Sequence, residues 1–108
     1  MRKGKEVPMR ELPVEFVGVG EVRGFQFRQV ARTDFGYIYE VVMPDSGLRH
    51  WEVFRRVENV RFACVSYPKS KSFGAWAWCC SSYEKAKSIL ASFSVDSEPI
   101  EEEDETED

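Results

Sequence analysis

One histidine, three cysteines and scattered carboxylates are all that this 108-residue chain offers for bond-making chemistry. A nucleophilic cysteine or serine needs a base to take its proton. Any such pair must use His50, with Glu52 two residues along the same strand to orient it. Glu40 and Glu52 are the pair available for acid–base work, but Arg28 and Arg56 fall in the same alternation, and salt bridges are the simpler use of both acids. Cys64, Cys79 and Cys80 form an odd set without the spacing of a metal knuckle or a disulfide framework. No catalytic residue, metal ligand or cofactor is expected, and the protein reads as a non-enzymatic one with free thiols.

Two short motifs fail on context. Gly18, Gly20 and Gly24 lack the spacing of a dinucleotide fingerprint, and no helical pattern follows them. Asp34-Phe35-Gly36 matches the metal-binding triplet of protein kinases, but no catalytic loop or lysine-bearing strand accompanies it. It reads instead as a hairpin turn, with Asp34 able to bond its own backbone and Gly36 free in φ.

The constellation with a plausible task is basic residues interleaved with aromatics. Arg28, Arg32, Arg49, Arg55, Arg56, Arg61, Lys69 and Lys71 fall in the predicted strands and in the polar loop over 66–74. Trp76 and Trp78 follow, in "SFGAWAWCC". Single-stranded nucleic acid is held by positive charge along its phosphates and by rings on which its bases stack. These ten residues are therefore the candidate contacts for single-stranded DNA or RNA.

Charge is unevenly distributed. The segment from Asp96 to Asp108 holds nine of the nineteen acids and no base, so residues 1–95 carry ten acids against all fifteen bases, a net of +5. Such an acidic run repels itself and buries nothing, so 96–108 is expected to be disordered, either solubilising the domain or competing with a polyanion for its basic surface. Residues 1–11 mix charges with Gly4 and Pro8 and are expected to be flexible. No signal-like segment and no apolar run near 18 residues is present, so a cytoplasmic protein without a membrane partner is expected.

What must position the candidates is a single β-rich domain over 12–95, since a chain of this size supports one modest core. Apolar alternation predicts a first strand in "PVEFVGVG", then strands over 25–32, 37–43 and 48–57 joined by "TDFG" and "PDSG". Residues 25–57 thus form an antiparallel meander. The stretch 60–67 fits either a strand or an irregular crossing, and "FGAWAWC" is the last strand. Ser81 and Glu84 have capping-box spacing, and Tyr83, Ala86, Ile89, Leu90 and Phe93 make one apolar stripe of an amphipathic helix. The expected class is α+β: an antiparallel sheet of four to five strands with one C-terminal helix packed on its aromatic face.

Splitting each strand by parity gathers Phe25, Phe27, Tyr37, Tyr39, Val41, Met43, Trp51, Val53, Trp76 and Trp78 on that face. The opposite face receives Arg28, Arg32, Glu40, His50, Glu52, Phe54 and Arg56. A helix of about 12 residues is ~18 Å long and ~10 Å across, whereas four or five strands span roughly 20 to 24 Å. An aromatic strip should therefore be left for the 14–19 segment, a second copy or a ligand to cover.

The stretches "HWEVFRR" and "SYPKSKSFGAWAWC" resemble segments of uncharacterised small proteins of Bacteroides-type bacteria and their mobile elements, over roughly residues 25–93. That likeness implies no activity. A curved antiparallel sheet followed by one helix is also similar to the architecture of the Whirly class of single-strand binders, an analogy of fold alone. The expected function is a binding module for single-stranded nucleic acid acting through a basic sheet face and the 66–74 loop. The alternative is a protein-interaction or homodimerisation module using the uncovered aromatic strip.

Overall fold

Alternating apolar residues and turn-forming tetrapeptides fold as an antiparallel meander. The computed structural model describes residues 9–93 and the backbone of Ile100 and Glu101. Its strands are β1 (Glu15–Val17), β2 (Gln26–Arg32), β3 (Gly36–Val42), β4 (Arg49–Arg55), β5 (Val57–Asn59), β6 (Cys64–Val65), β7 (Ala77–Cys80) and β8 (Ile100–Glu101). The one α-helix among the described residues, α1, runs Tyr83–Ser92. Five strands form the main antiparallel sheet in the order β1-β2-β3-β4-β7, and β6-β5-β8 form a small second sheet. The α+β class, the meander and the C-terminal helix on the sheet are as expected from the sequence. No helix among the described residues is long and apolar enough to cross a membrane.

Local chemistry sets the element ends. Asp34 is not the turn former: Phe35 N–H donates to Thr33 Oγ1, and Thr33 N–H to Gly36 O. Gly36 is required by packing, because a Cβ there would lie 2.5 Å from Phe54 O and 2.8 Å from the Phe93 ring. At the helix start Ser82, in extended conformation, accepts from Lys85 N–H at 3.2 Å. The cap is thus one residue later than the Ser81–Glu84 spacing predicts, because Ser82 is the last residue still outside the helix.

The sorting of rings between faces differs from expectation. Tyr37, Tyr39, Phe54, Phe27 and Val41 form one buried cluster, and Ile38, Val53, Cys80, Ala86, Leu90 and Phe93 the other. Trp51 and Trp78 pack with the second cluster, under α1, and Trp76 with the first. Three causes account for the mixing. The β3–β4 register pairs Tyr39 with Glu52 and Tyr37 with Phe54, so Phe54 joins the tyrosines while Trp51 and Val53 face the helix. A β-bulge between Gln29 and Ala31 resets the alternation in β2 and returns Arg32 to the Tyr37 side, as an extra residue must. Trp76 precedes β7 in a turn, where its N–H donates to Ser72 O, and so shares no alternation with Trp78.

Both faces of the sheet are therefore core. α1 packs on β3, β4 and β7. The tyrosine side, where an open aromatic strip is expected, is closed by the chain itself: Met9, Leu12, Phe16, Tyr67, Phe73 and Trp76 pack on it. Tyr67 stands edge-on to Phe54 at 4.8 Å and to Tyr39 at 5.2 Å. Residues 9–11, expected to be flexible, are held in place. Arg10 N–H donates to Ala63 O and Val65 N–H to Arg10 O. Residues 1–8, and the 96–108 tail apart from the backbone of β8, lie outside the described residues.

Candidate interaction surface

The ten basic and aromatic candidates do not gather on one surface. Arg28 of β2 and Arg49 of β4 flank Glu40 of β3, at 3.0 and 2.8 Å from its two oxygens, on the helix side of the sheet. Glu40 is buried, which alone would raise its pKa. The hydrogen bonds and charges of the two guanidiniums outweigh that and hold it below the usual carboxylate range. Arg32 and Arg56 meet Glu11 on the tyrosine side, and Arg56 also pairs with Glu58.

The remaining candidates are dispersed. The guanidinium of Arg55 lies 4.7 Å over the Phe93 ring and that of Arg61 5.2 Å over Phe62. Lys69 and Lys71 sit on the exposed 3₁₀ turn Ser70–Ser72 and its N-cap. Trp76 packs edge-on against Phe54 and Trp78 against Phe93, both half-buried. Four of the ten are thus paired with carboxylates of the chain itself, four guanidiniums against Glu11, Glu40 and Glu58, and the two tryptophans belong to opposite cores.

What the structure does assemble is an apolar cleft beside the β1 edge. It encloses about 310 Å³ between Phe16, Val17, Gly18, Val19 and Val22 on one wall and Tyr67, Pro68, Ser70 and Phe73 on the other, with Phe27 and Glu52 below. Phe16 stacks on Phe27 at 4.6 Å, and Tyr67 stands perpendicular to both at 5.4 Å, so packed rings form the floor and the lower part of both walls. The rim is apolar and wet: Val17 is 61% exposed and Val19 79%.

β1 is an outer strand of its sheet. Gly18 N–H donates to Phe25 O, Gln29 N–H donates to Val14 O, and Phe16 stands opposite Phe27. In an antiparallel ladder the bonded positions alternate. The N–H and C=O groups of Glu15 and Val17 therefore point away from β2, along the open edge. Pro13, which has no N–H, limits that edge on its N-terminal side.

The one carboxylate lining the cleft is engaged at both oxygens. Glu52 Oε1 accepts from Tyr67 Oη at 2.6 Å, and Oε2 lies 2.9 Å from His50 Nε2. The His50–Glu52 pairing that the sequence suggests is thus present, with Tyr67 as an unforeseen third member. Burial and the Glu52 charge push the Tyr67 hydroxyl up, so it is held as a donor. The neighbouring Cys79 thiol is also pushed up, first by burial and then by Glu52 and Cys80. A raised thiol is a poor nucleophile. Among the described residues no group of three or more His, Cys, Asp or Glu side chains is placed to hold a metal ion.

Glu11 and Tyr67 carry no local pattern that would single them out, since each acts through a partner 15 or more residues away. The valines did carry one: four of them fall within residues 14–22, alternating with glycine and glutamate. Comparison with known protein families, curated proteins and solved structures finds no match to this chain.

Proposed function

We propose that this domain is a non-enzymatic protein-interaction module that receives an extended peptide segment along the β1 edge. The observation that carries this reading is the coincidence of outward backbone groups at Glu15 and Val17 with an apolar, ring-floored cleft directly beside them. Strand addition uses such an edge for affinity and a neighbouring pocket for side-chain selection. Natural edge strands are usually shielded by charge or covered, whereas this one sets the exposed Val17 beside the single charge of Glu15.

Contact with single-stranded nucleic acid through the sheet arginines has less support. Arg28, Arg32, Arg49 and Arg56 are spent on Glu11, Glu40 and Glu58. Self-association through an aromatic strip loses its basis, since the rings are covered from within.

Selection of a phage-displayed random peptide library on the immobilised domain tests the proposal. Enrichment of peptides with an aliphatic or aromatic anchor, lost with Val19→Asp, is expected. Enrichment indifferent to Val19→Asp, or no enrichment while a labelled oligonucleotide binds in low salt, overturns it. Light scattering of the free domain separates a peptide partner from a second copy of the chain.

A further inference from the structure

The N-terminal strap ends its approach to the sheet on a carboxylate. Three hydrogen-bond donors and a further guanidinium converge on Glu11: Arg56 Nη2 donates to Oε2 at 2.6 Å, Arg56 Nε to Oε1 at 3.3 Å and the Tyr37 hydroxyl also to Oε1, while Arg32 Nη2 forms an ion pair with Oε1 at 3.4 Å. Two guanidiniums and a hydroxyl around one pair of oxygens is the donor set that receives a phosphate group. We propose that Arg32, Arg56 and Tyr37 form a phosphate-binding site, and that Glu11 occupies it as an internal stand-in for the ligand.

Two features separate this from an ordinary surface ion pair. First, each receiving group has a second tie that does not involve Glu11. Arg56 is also tied to Glu58, the Arg32 guanidinium lies 5.6 Å over the Tyr37 ring, and Tyr37 itself is wholly buried in the core. A preformed set of donors binds an oxyanion without the cost of ordering long side chains.

Second, Glu11 sits on a segment held by a few bonds on either side of it, those of Arg10 to Ala63 and Val65 and those of Pro13 O and Val14 O to Tyr39 and Gln29. Its neighbours Arg10, Pro13 and Val14 are exposed, and only Met9 and Leu12 pack on the core from this stretch. With Glu11 in place the local charge is neutral, two arginines against Glu11 and Glu58. Without it the site is left at +1 and open to solvent, since the Glu11 side chain is already 32% exposed.

Closure sets the affinity. A tethered carboxylate competes at an effective concentration of roughly millimolar, and a site open for no more than about a tenth of the time binds about tenfold more weakly than its intrinsic constant. The shared ligand chemistry is a phosphate oxyanion, which a free phosphate or a nucleic-acid phosphodiester can supply.

The test is titration of the full chain and its Glu11→Gln variant with inorganic phosphate and, separately, with a fluorescent twelve-residue oligothymidylate in low salt. Glu11→Gln is expected to bind phosphate about tenfold or more tightly than the wild type, and adding Arg56→Gln is expected to abolish the gain. If Glu11→Gln binds no tighter, or if the gain survives Arg56→Gln, the proposal falls. A gain for phosphate alone assigns the site to free phosphate, whereas a larger gain for the oligonucleotide assigns it to phosphodiesters.

Should Glu11→Gln fail to fold, the wild-type chain still decides. Phosphate should speed trypsin cleavage after Arg10, read as the fragment beginning at Glu11, relative to chloride of equal ionic strength. Unchanged cleavage overturns the proposal.

Discussion

Glu40→Gln is the sharpest probe of how this sheet uses its arginines. Glu40 is 9% exposed and lies on β3, the central strand, with Arg28 and Arg49 on the flanking strands each holding one of its oxygens. Hydrogen bonds to a charged group contribute about 1.5 to 3 kcal/mol apiece when well shielded. The arginine side chains here are 57% and 53% exposed, which moves each bond toward the 0.2 to 1 kcal/mol typical of exposed pairs. Glutamine keeps the volume and one acceptor but turns an amide N–H₂ toward a guanidinium. The expected loss is about 1 to 2 kcal/mol at pH 7, and a midpoint lower by roughly 5 to 15 °C.

The pH dependence gives the decisive readout. The pKa of Glu40 is depressed in the fold, so its contribution is fully present above the unfolded carboxylate value of about 4.3 and is lost as pH falls through the lower folded value. Urea denaturation of both proteins at pH 7 and on stepwise acidification should therefore show the gap closing below about pH 4.3. A gap that is absent at pH 7, or that stays constant on acidification, refutes the reasoning.

Three further outcomes are expected. Phe93→Ala removes a 5% exposed ring that packs against Trp78 at 5.9 Å and lies under Arg55; thermal and urea unfolding should show a loss of about 3 to 5 kcal/mol. Ser82→Ala deletes the hydrogen bond to Lys85 N–H, and the same measurements should show about 1 kcal/mol lost with α1 otherwise intact. Cys79 is exposed but its thiol is pushed up, so its reaction with an aromatic disulfide reagent at neutral pH should be slower than that of free cysteine and should accelerate on unfolding.

The meander, its turns and the amphipathic helix were legible because each rests on local periodicity and turn chemistry. Which side chain shares a face with which was not. Parity orders residues within one strand, but the offset between strands depends on the connection between them. The Met43–Leu48 turn, closed by Met43 N–H donating to Leu48 O, places Glu52 and not Trp51 beside Tyr39. A single inserted residue, Val30, moved Arg32 across the sheet. The arginines were visible as a basic set, but their carboxylate partners were not, because Glu11 and Arg56 are 45 residues apart and meet only through the fold. The cleft is equally non-local, with walls from residues 16–22 and 67–73.

The tyrosines explain why this arrangement holds together. Tyr37, Tyr39 and Tyr67 are core residues whose rings phenylalanine could supply, yet each carries a hydroxyl that must find a partner once buried. Tyr37 donates to Glu11, Tyr39 donates to Pro13 O while accepting from Gln29 Nε2, and Tyr67 donates to Glu52. Two of these partners lie on the strap over residues 9–14, and the third ties the 65–73 segment to β4. Segments with little regular structure of their own are thus registered on the sheet by phenols rising from the core. The consequence for function is direct. A pin at Tyr39 and Pro13 sits beside the β1 edge, and a pin at Tyr37 and Glu11 closes the arginine site. Lifting the strap therefore unsatisfies two buried hydroxyls at once, unless an incoming acceptor replaces Glu11. A phosphate does so at Tyr37 and leaves only Tyr39 to be rehydrated, which is the physical reason that opening should depend on the ligand and not occur freely.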